Sequence, residues 1–336
     1  MKYQFRMLAG VALLGLSQWA LALNVPGPVV DGEWLAKNRA EVTVLDVRSN
    51  PKSFTATPEF ETDKKTGKKF LVELGGHIAD AVSVDNKTVR VTRVINGLKL
   101  SGMIPERADF EKLVRAWGVQ AGRPVVIVSA GMEALDFNEA ARLYWQFKVY
   151  GEDNVAVLNG GTAGWIAEGR EVSTAAVKPA EGNWVATADR SAELMASTED
   201  VAKAQADKSA QLVDARDNAS YLGLTKAGSV SAFGHIDGAR NVYNGLFSQG
   251  SDAMRLLAND TYRDIFKMTG VDAQAATIAY CNTGHQAAGA WFVMHELLGN
   301  KQVKLYDGSL HEWSMAKRAM VAVSRGAAVV ATAPAK

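Results

Sequence analysis

Cysteine, histidine and surplus charge are all scarce in this chain. It has one cysteine and five histidines in 336 residues, and a lone thiol with scattered imidazoles cannot build a multi-ligand metal site. The formal net charge is +1, and no basic run is interleaved with aromatic residues. Neither a metal, nor nucleic acid, nor an anionic membrane surface is therefore an expected partner.

The single cysteine, Cys281, lies where a predicted strand changes into a helix. The apolar run TIAY ends at the thiol, a polar loop containing glycine follows, and an apolar helical pattern begins near Ala287. Such a loop can direct backbone N–H groups and the positive end of a helix dipole at one atom, which stabilises a thiolate. A free cysteine is more often a buried small hydrophobic residue. Both interpretations stay open here, and the placement favours a nucleophile.

The first 22 residues have the pattern of a secretory signal. Lys2 and Arg6 precede an apolar stretch over residues 7–16, and residues 20–22 (ALA) form the small-x-small sequence that signal peptidase reads. The apolar stretch is short for a membrane span of about 20 residues, so a cleaved signal is favoured over a retained anchor. We therefore expect an exported, periplasmic protein. An unpaired thiol there needs a specific reason, since exported proteins usually use cysteines in pairs.

The rest of the chain repeats itself once. Four blocks of the first half recur in the same order in the second half: residues 42–50 (VTVLDVRSN) and 210–218 (AQLVDARDN), 75–85 (GGHIADAVSVD) and 233–243 (FGHIDGARNVY), 123–133 and 276–286, and 154–169 and 302–317. The period is too long for a solenoid and fits two globular copies. The predicted segments are a signal peptide (1–22), a first domain (23–171), a Pro/Gly-containing linker (172–190), a second domain (191–320) and a tail (321–336).

Within each copy, apolar β-rich runs alternate with longer amphipathic stretches such as residues 109–117 and 287–298. This alternation predicts βα units around a parallel sheet. Function in such sheets collects at the carboxyl ends of the strands, where Cys281 lies. Alignment of the copies puts Ser129 in the position of Cys281. The first copy is therefore predicted to be a non-catalytic partner that builds one wall of the site.

Taken together, the blocks resemble the tandem-domain rhodanese family of thiosulfate and mercaptopyruvate sulfurtransferases. The resemblance rests on two D-x-R strand ends, two GHI blocks, the strand-borne Cys281 and the closing VKLYDGSLHEW block, and spans about residues 29–320. It implies an α/β fold of two tandem rhodanese-like domains, each a parallel sheet flanked by helices. It also implies that Cys281 takes the outer sulfur of a small donor as a persulfide and passes it to cyanide or a thiol, without a cofactor.

The resemblance also implies a substrate-binding loop after the thiol, and this loop departs from the common pattern. Its residues are Asn282, Thr283, Gly284, His285, Gln286 and Ala287. Thiosulfate-using members carry one cation two positions after the cysteine and another before a YLG sequence; Thr283 and Ser220 stand there instead. The CNTGH sequence resembles an exported bacterial subgroup. We therefore expect weak binding of a doubly charged donor.

Three residues are candidates for the missing positive charge. His285 lies inside the loop and, as imidazolium, would stabilise a bound anion or a departing group; the alternative is a histidine that is packed or merely solvated. Arg216 and Arg240 are further candidates for anion binding. Arginines beside a D-x-R strand end and a GHI turn are, however, more often salt-bridged braces.

Two other functions are compatible with a strand-borne cysteine. Cysteine phosphatases and arsenate reductases need a C-x5-R loop, because a phosphate calls for a bidentate guanidinium. The sixth residue after Cys281 is Ala287, which makes that class improbable. The second alternative is a persulfide carrier or binding module with little turnover on free donors.

Overall fold

The computed structural model of the protein describes residues 23–324. The predicted signal segment, 1–22, and the last part of the predicted tail, 325–336, lie outside the described residues. Within residues 23–324, no helix has both the length and the apolar character that crossing a bilayer requires. Two α/β units follow one another along the chain, each built on a parallel sheet, so the predicted fold class is confirmed.

The first unit is built on a five-stranded parallel sheet. Its elements are β1 (Val29–Val30), α1 (Gly32–Asn38), β2 (Thr43–Arg48), β3 (Glu59–Thr62), β4 (Lys69–Glu73), β5 (Val82–Asp85), β6 (Val91–Ile95), β7 (Leu98–Met103), α2 (Arg107–Ala116), β8 (Val125–Val128), α3 (Phe137–Val149), β9 (Val155–Leu158) and α4 (Gly161–Ala167). The sheet order is β1-β9-β8-β2-β5, and β3–β4 and β6–β7 are antiparallel hairpins beside it.

The second unit repeats this plan on a four-stranded parallel sheet. Its elements are α5 (Ser191–Leu194), α6 (Thr198–Asp207), β10 (Gln211–Asp214), α7 (Asn218–Leu222), β11 (Arg240–Asn241), β12 (Ser248–Gln249), β13 (Arg255–Leu256), α8 (Asn259–Met268), β14 (Thr277–Tyr280), α9 (Ala287–Trp291), β15 (Val303–Leu305) and α10 (Ser309–Met315). The sheet order is β11-β10-β14-β15, and α9 continues as a π-helix over Phe292–Leu297.

Alternation along the strands divides the apolar side chains between three cores. In the first unit Leu45 belongs to the largest core while its neighbour Val44 belongs to a separate one, because successive side chains of a strand point to opposite faces. In the second unit Ala279 belongs to the same large core as Leu45, whereas Ile278 belongs to a third. Cys281 lies two residues after Ala279 and joins the large core. Because Cys281 and Ala279 are two residues apart, their side chains point to the same side of the strand. The thiol therefore faces the core that the two units share.

Helix α3 joins the two units by packing against α9 and its π-helical continuation. The ring of Tyr144 lies 4.8 Å from that of Phe292, and the ring of Phe137 lies 5.3 Å from the same phenylalanine. The Tyr144 hydroxyl donates to Glu296 at 2.9 Å. Burial of one such large apolar side chain stabilises a protein by roughly 1.5 to 3 kcal/mol. The interface is therefore a continuous apolar core, which holds the active loop in a fixed position.

Segments outside the repeated blocks bond back onto each unit in the same way. Ser173, at the start of the predicted linker, pairs with His77, and Val321, at the start of the predicted tail, pairs with His235. Trp184 within the linker is buried and donates its indole N–H to Glu152 at 2.9 Å. The predicted domain boundaries stay predictions. The linker is packed along its length on the first unit.

Candidate active site at the domain interface

Cys281 directly follows β14 at the carboxyl end of the second sheet and is buried, with 1% of its surface exposed. The start of α10 fixes its backbone from both sides. The Cys281 N–H donates to the hydroxyl of Ser309 at 3.1 Å, and the N–H of Leu310 donates to the Cys281 carbonyl at 3.1 Å. The thiol is therefore attached to a rigid strand and a rigid helix end.

Ser309 is the anchor of the loop that follows the thiol. Its hydroxyl also accepts from the N–H of Gly284 at 3.0 Å and donates to the carbonyl of Tyr306 at 2.7 Å. The backbone φ of Ser309 is +50°, in the left-handed region, where a residue other than glycine costs of order 1 to 3 kcal/mol. Three hydrogen bonds through one hydroxyl offset this strain, and they draw the loop into a closed turn.

Several backbone N–H groups of this loop have no hydrogen-bond partner within residues 23–324. They belong to Asn282, Thr283, His285, Gln286 and Ala287. Ala287 is fully buried, so solvent does not satisfy its N–H, and a buried unpaired donor calls for a partner. A turn with several unpaired donors beside a thiol is an anion-binding concavity. The loop residues predicted to bind substrate are brought together here.

Arg142 of the first unit reaches across the interface to the same loop. Its guanidinium is fully buried, lies 2.6 Å from the carboxylate of Asp307 and donates to the carbonyl of Gly284 at 3.1 Å. Gly284 has a φ of +70°, and a Cβ there would lie 2.6 Å from the Asp307 carbonyl oxygen. Glycine is therefore required at this position. Asp307 also accepts from the N–H of Ile104 at 2.8 Å, so the ion pair connects the two units.

The β6–β7 hairpin of the first unit covers the other side of the loop. Gly102 in β7 faces Thr283 so closely that a Cβ on Gly102 would lie 3.1 Å from the Thr283 Cβ. Arg142 donates to the Gly102 carbonyl at 3.3 Å. The loop is thus enclosed between its own helix α10 and the hairpin, and the first unit does build a wall of the site.

The surroundings of His285 favour its neutral form. Burial, and next the nearby cations Arg90 and Arg142, hold the pKa of His285 well below its usual 6.5. Burial and the neighbouring cations both disfavour a protonated ring, which counts against the interpretation of His285 as an imidazolium that stabilises an anion. Its Nδ1 atom is buried without a hydrogen-bond partner among the described residues, which leaves it available as a neutral donor or acceptor.

The other two cation candidates lie elsewhere or are already engaged. Arg216 is buried and donates to the carboxylate of Asp214 at 2.6 Å and to the carbonyl of Gly234 at 2.7 Å, as the brace interpretation expected. Arg240 begins β11 and lines a surface cavity with Gln211, which begins β10. This cavity lies toward the amino ends of β10 and β14, away from Cys281, so Arg240 is not placed beside the thiol. The hydroxyl of Ser220 in α7 donates to the carboxylate of Asp217, the N-cap of that helix, at 2.7 Å.

The functional residues that sequence reasoning missed are Ser309 and Asp307 of the second unit and the charged residues that the first unit contributes near the loop. The first-unit residues are Arg90, Arg142 and Glu139, and none of them belongs to a recognisable motif. Glu139, in the first turn of α3, is hydrogen-bonded by Ser49 and lies 3.5 Å from the amide nitrogen of Asn86. Burial raises the pKa of Glu139 to about 7. Glu139, Arg142 and Gln146 recur at helical spacing along α3, among mostly apolar residues, and this pattern is the signal that would have pointed to two of them.

Comparison with known proteins identifies the family to which this architecture belongs. Residues 31–168 and 197–316 match the family described as Rhodanese-like domain. A putative thiosulfate sulfurtransferase from Saccharopolyspora erythraea is 31% identical over 249 residues, which cover 71% of this chain and 82% of that protein. Thiosulfate sulfurtransferase from Cricetulus griseus is 33% identical over 215 residues, 63% of this chain and 69% of that protein.

Solved structures agree with this assignment. SseA from Escherichia coli, a 3-mercaptopyruvate sulfurtransferase, superposes with a TM-score of 0.66 at 25% identity and covers 84% of this chain and 98% of its own. The EanB complex with hercynine has a TM-score of 0.71 at 18% identity over 88% of this chain and 70% of its own, which shows the shared fold alone. The chain belongs to the rhodanese-like domain family and is a sulfurtransferase of two tandem domains.

Proposed function

We propose that Cys281 accepts a sulfane sulfur from a small donor such as thiosulfate, holds it as a persulfide, and transfers it to cyanide or a thiol. The observation that carries this proposal is the position of the thiol: it is the sole cysteine, it lies at the carboxyl end of a central strand, and it is bordered by backbone N–H groups with no partner among residues 23–324. The signal-like pattern of residues 1–22 supports a periplasmic location as part of the same proposal.

The reaction needs no redox partner. The Cys281 thiolate attacks the outer sulfur of thiosulfate, a new S–S bond forms, and the donor's S–S bond breaks as sulfite departs with the electron pair. The acceptor then attacks the outer persulfide sulfur, and the Cys281 thiolate leaves. In both steps negative charge moves between the Cys281 sulfur and a donor or acceptor atom that lies beside the loop. Fixed N–H donors at such a place stabilise the charge without reorganisation.

A protein-to-protein persulfide carrier is the alternative, and the burial of Cys281 counts against it. A sulfur that is handed to a large partner must be reachable by that partner's thiol. With 1% of its surface exposed, Cys281 accepts small molecules more readily than a protein side chain. The enclosed loop between α10 and the β6–β7 hairpin therefore supports turnover on small donors and acceptors.

Intact-mass spectrometry tests the proposal. Purified protein is incubated with thiosulfate or mercaptopyruvate, and we expect a gain of one sulfur atom that is absent in Cys281→Ser and removed by cyanide. Steady turnover is then compared with single-turnover loading. Loading followed by slow turnover would establish the carrier function instead, and no added sulfur with any donor would refute the persulfide.

A further inference from the structure

Arg90 is held beside the active loop by the backbone that precedes it. The carbonyl of Val89 accepts a hydrogen bond from the side-chain amide of Gln146 on α3 at 2.6 Å. Arg142 lies one turn earlier on the same helix and contacts the Gly284 carbonyl. Since nearly all residues of α3 are buried and the helix contacts both segments, it positions Val89 and Arg90 relative to the loop that follows Cys281.

The guanidinium of Arg90 has no partner among the described residues. It makes no hydrogen bond or ion pair within residues 23–324, and its Nε atom is buried. By contrast, the fully buried arginines of the two units are all paired: Arg48 with Asp46, Arg142 with Asp307, and Arg216 with Asp214. An unpaired guanidinium that is partly removed from water is costly, and a bound anion would relieve that cost.

The charges that act on Arg90 are those of the active site. Burial, and then repulsion by Arg142, lower the pKa of Arg90, whereas Cys281, Glu139 and Asp307 raise it. The charge of Arg142 is already balanced by its ion pair with Asp307. Arg90 is therefore the cation near Cys281 that no carboxylate contacts within the described part of the chain.

We infer that Arg90 binds the anionic end of the sulfur donor, an S-sulfonate such as thiosulfate, and so supplies the positive charge that Thr283 and Ser220 lack. This inference rests on the function proposed above. A planar guanidinium pairs with two oxygens of a sulfonate. In this arrangement Arg90 also faces the sulfite that leaves when the persulfide forms. The specificity of the second domain's thiol is thus set by a residue of the first domain.

Alkylation of the single cysteine tests this charge independently of sulfur transfer. Iodoacetate is an anion and iodoacetamide is neutral, so the ratio of their rates with Cys281 reports the positive charge at the thiol. We expect Arg90→Gln to lower this ratio about tenfold and to raise the KM for thiosulfate by a similar factor, and Arg90→Lys to retain most of both. The matched control is Arg93→Gln, since Arg93 is paired with Glu106 on the outer side of the hairpin and its loss should change neither.

The outcomes separate the inference from the proposed function. If Arg90→Gln slows iodoacetate and iodoacetamide equally, or leaves both the alkylation ratio and the KM unchanged, Arg90 does not bind the anion and the inference fails. If the ratio falls as expected while no donor loads the wild-type protein with sulfur, the anion site stands and the persulfide function fails. Circular dichroism spectra that match wild type exclude misfolding as the cause of either result.

Discussion

Both copies of the domain have a strand-to-helix loop at the equivalent position, but the backbone N–H groups of the two loops have different partners. In the second copy the loop after β14 leaves backbone N–H groups unpaired within the described residues, next to Cys281. In the first copy the loop after β8 contains Asp136, whose carboxylate accepts from the N–H groups of Met132 and Glu133, both at 2.9 Å. The first loop therefore binds its own anion. The equivalent loop is thus occupied by its own carboxylate in the first copy and left open in the second.

Each loop is also covered by the other copy. Asp307, after β15, accepts from the N–H of Ile104 in the first unit at 2.8 Å, and Asn159, after β9, accepts from the N–H of Leu256 in the second unit at 2.9 Å. The carbonyl of Gly131 in the first loop accepts from Met254 at 2.9 Å. The domains thus exchange equivalent contacts across their interface.

Replacement of the thiol should give the largest effect. We expect Cys281→Ser to reduce sulfur transfer by at least about a thousandfold, because a hydroxyl of similar size is a far weaker nucleophile. Ser129→Ala, at the equivalent position of the first copy, should leave turnover unchanged. Steady-state assays with thiosulfate and cyanide measure both. Substantial turnover by Cys281→Ser would contradict the mechanism.

A thiol in the first loop should remain inactive while Asp136 is present. In a Cys281→Ser background, Ser129→Cys should acquire no persulfide, because the carboxylate disfavours a thiolate and occupies the donors that would receive it. Adding Asp136→Ala should release the N–H groups of Met132 and Glu133 and permit slow loading. Mass spectrometry after incubation with thiosulfate measures the sulfur added to each variant. Rapid loading without Asp136→Ala would show that the two loops are equally competent.

Glu139 gives the interface a pH dependence. Its pKa is raised to about 7 from 4.5, so the stability it contributes is complete below pH 4.5 and is lost as the pH rises through 7. We expect Glu139→Gln to stabilise the protein at pH 8 by about 2 kcal/mol, with no gain at pH 4.5. Urea unfolding at the two pH values measures this, with the exposed Glu133→Gln as control. An equal gain at both pH values would exclude titration of Glu139 as the cause.

A cation added to the second loop should increase the difference in anion binding between the two loops. Thr283→Lys places an ammonium beside the departing sulfite, with a Coulomb attraction of about 1 to 4 kcal/mol at ~4 Å between bulk-water and near-surface dielectric values. After the cost of ordering the side chain, we expect the KM for thiosulfate to fall several-fold, and the gain to shrink in high salt. Thr283→Met controls for size against Gly102. If high salt did not reduce the gain in KM, the effect of the lysine would be steric and not electrostatic.

Loss of the loop histidine should have the smallest effect on pH dependence. Because its pKa lies well below 6.5, His285 keeps one charge state between about pH 6 and pH 8. His285→Ala should therefore lower turnover by the same small factor throughout this range. A pH–rate profile of kcat/KM compares the variant with wild type. A loss confined to the acidic side would restore the imidazolium interpretation.

The sequence by itself determined the features that depend on local pattern. Alternating apolar runs predicted parallel βα units, four recurring blocks predicted the duplication, and the position of Cys281 after TIAY placed the thiol at a strand end. Ser129 showed that the first copy has no thiol. These inferences were possible because strand periodicity, loop composition and residue type act over a few neighbouring residues.

Only the tertiary structure decided what surrounds the thiol. Arg142 and Gly284 are 142 positions apart, and no local pattern relates them. The packing of α3 against α9 brings them together, along with Arg90 and Glu139. The same packing buries His285 among cations and so keeps it neutral, whereas in sequence it looked like the loop's own cation. The charge at the site depends on groups from both domains. These groups come together only when the two domains pack against each other.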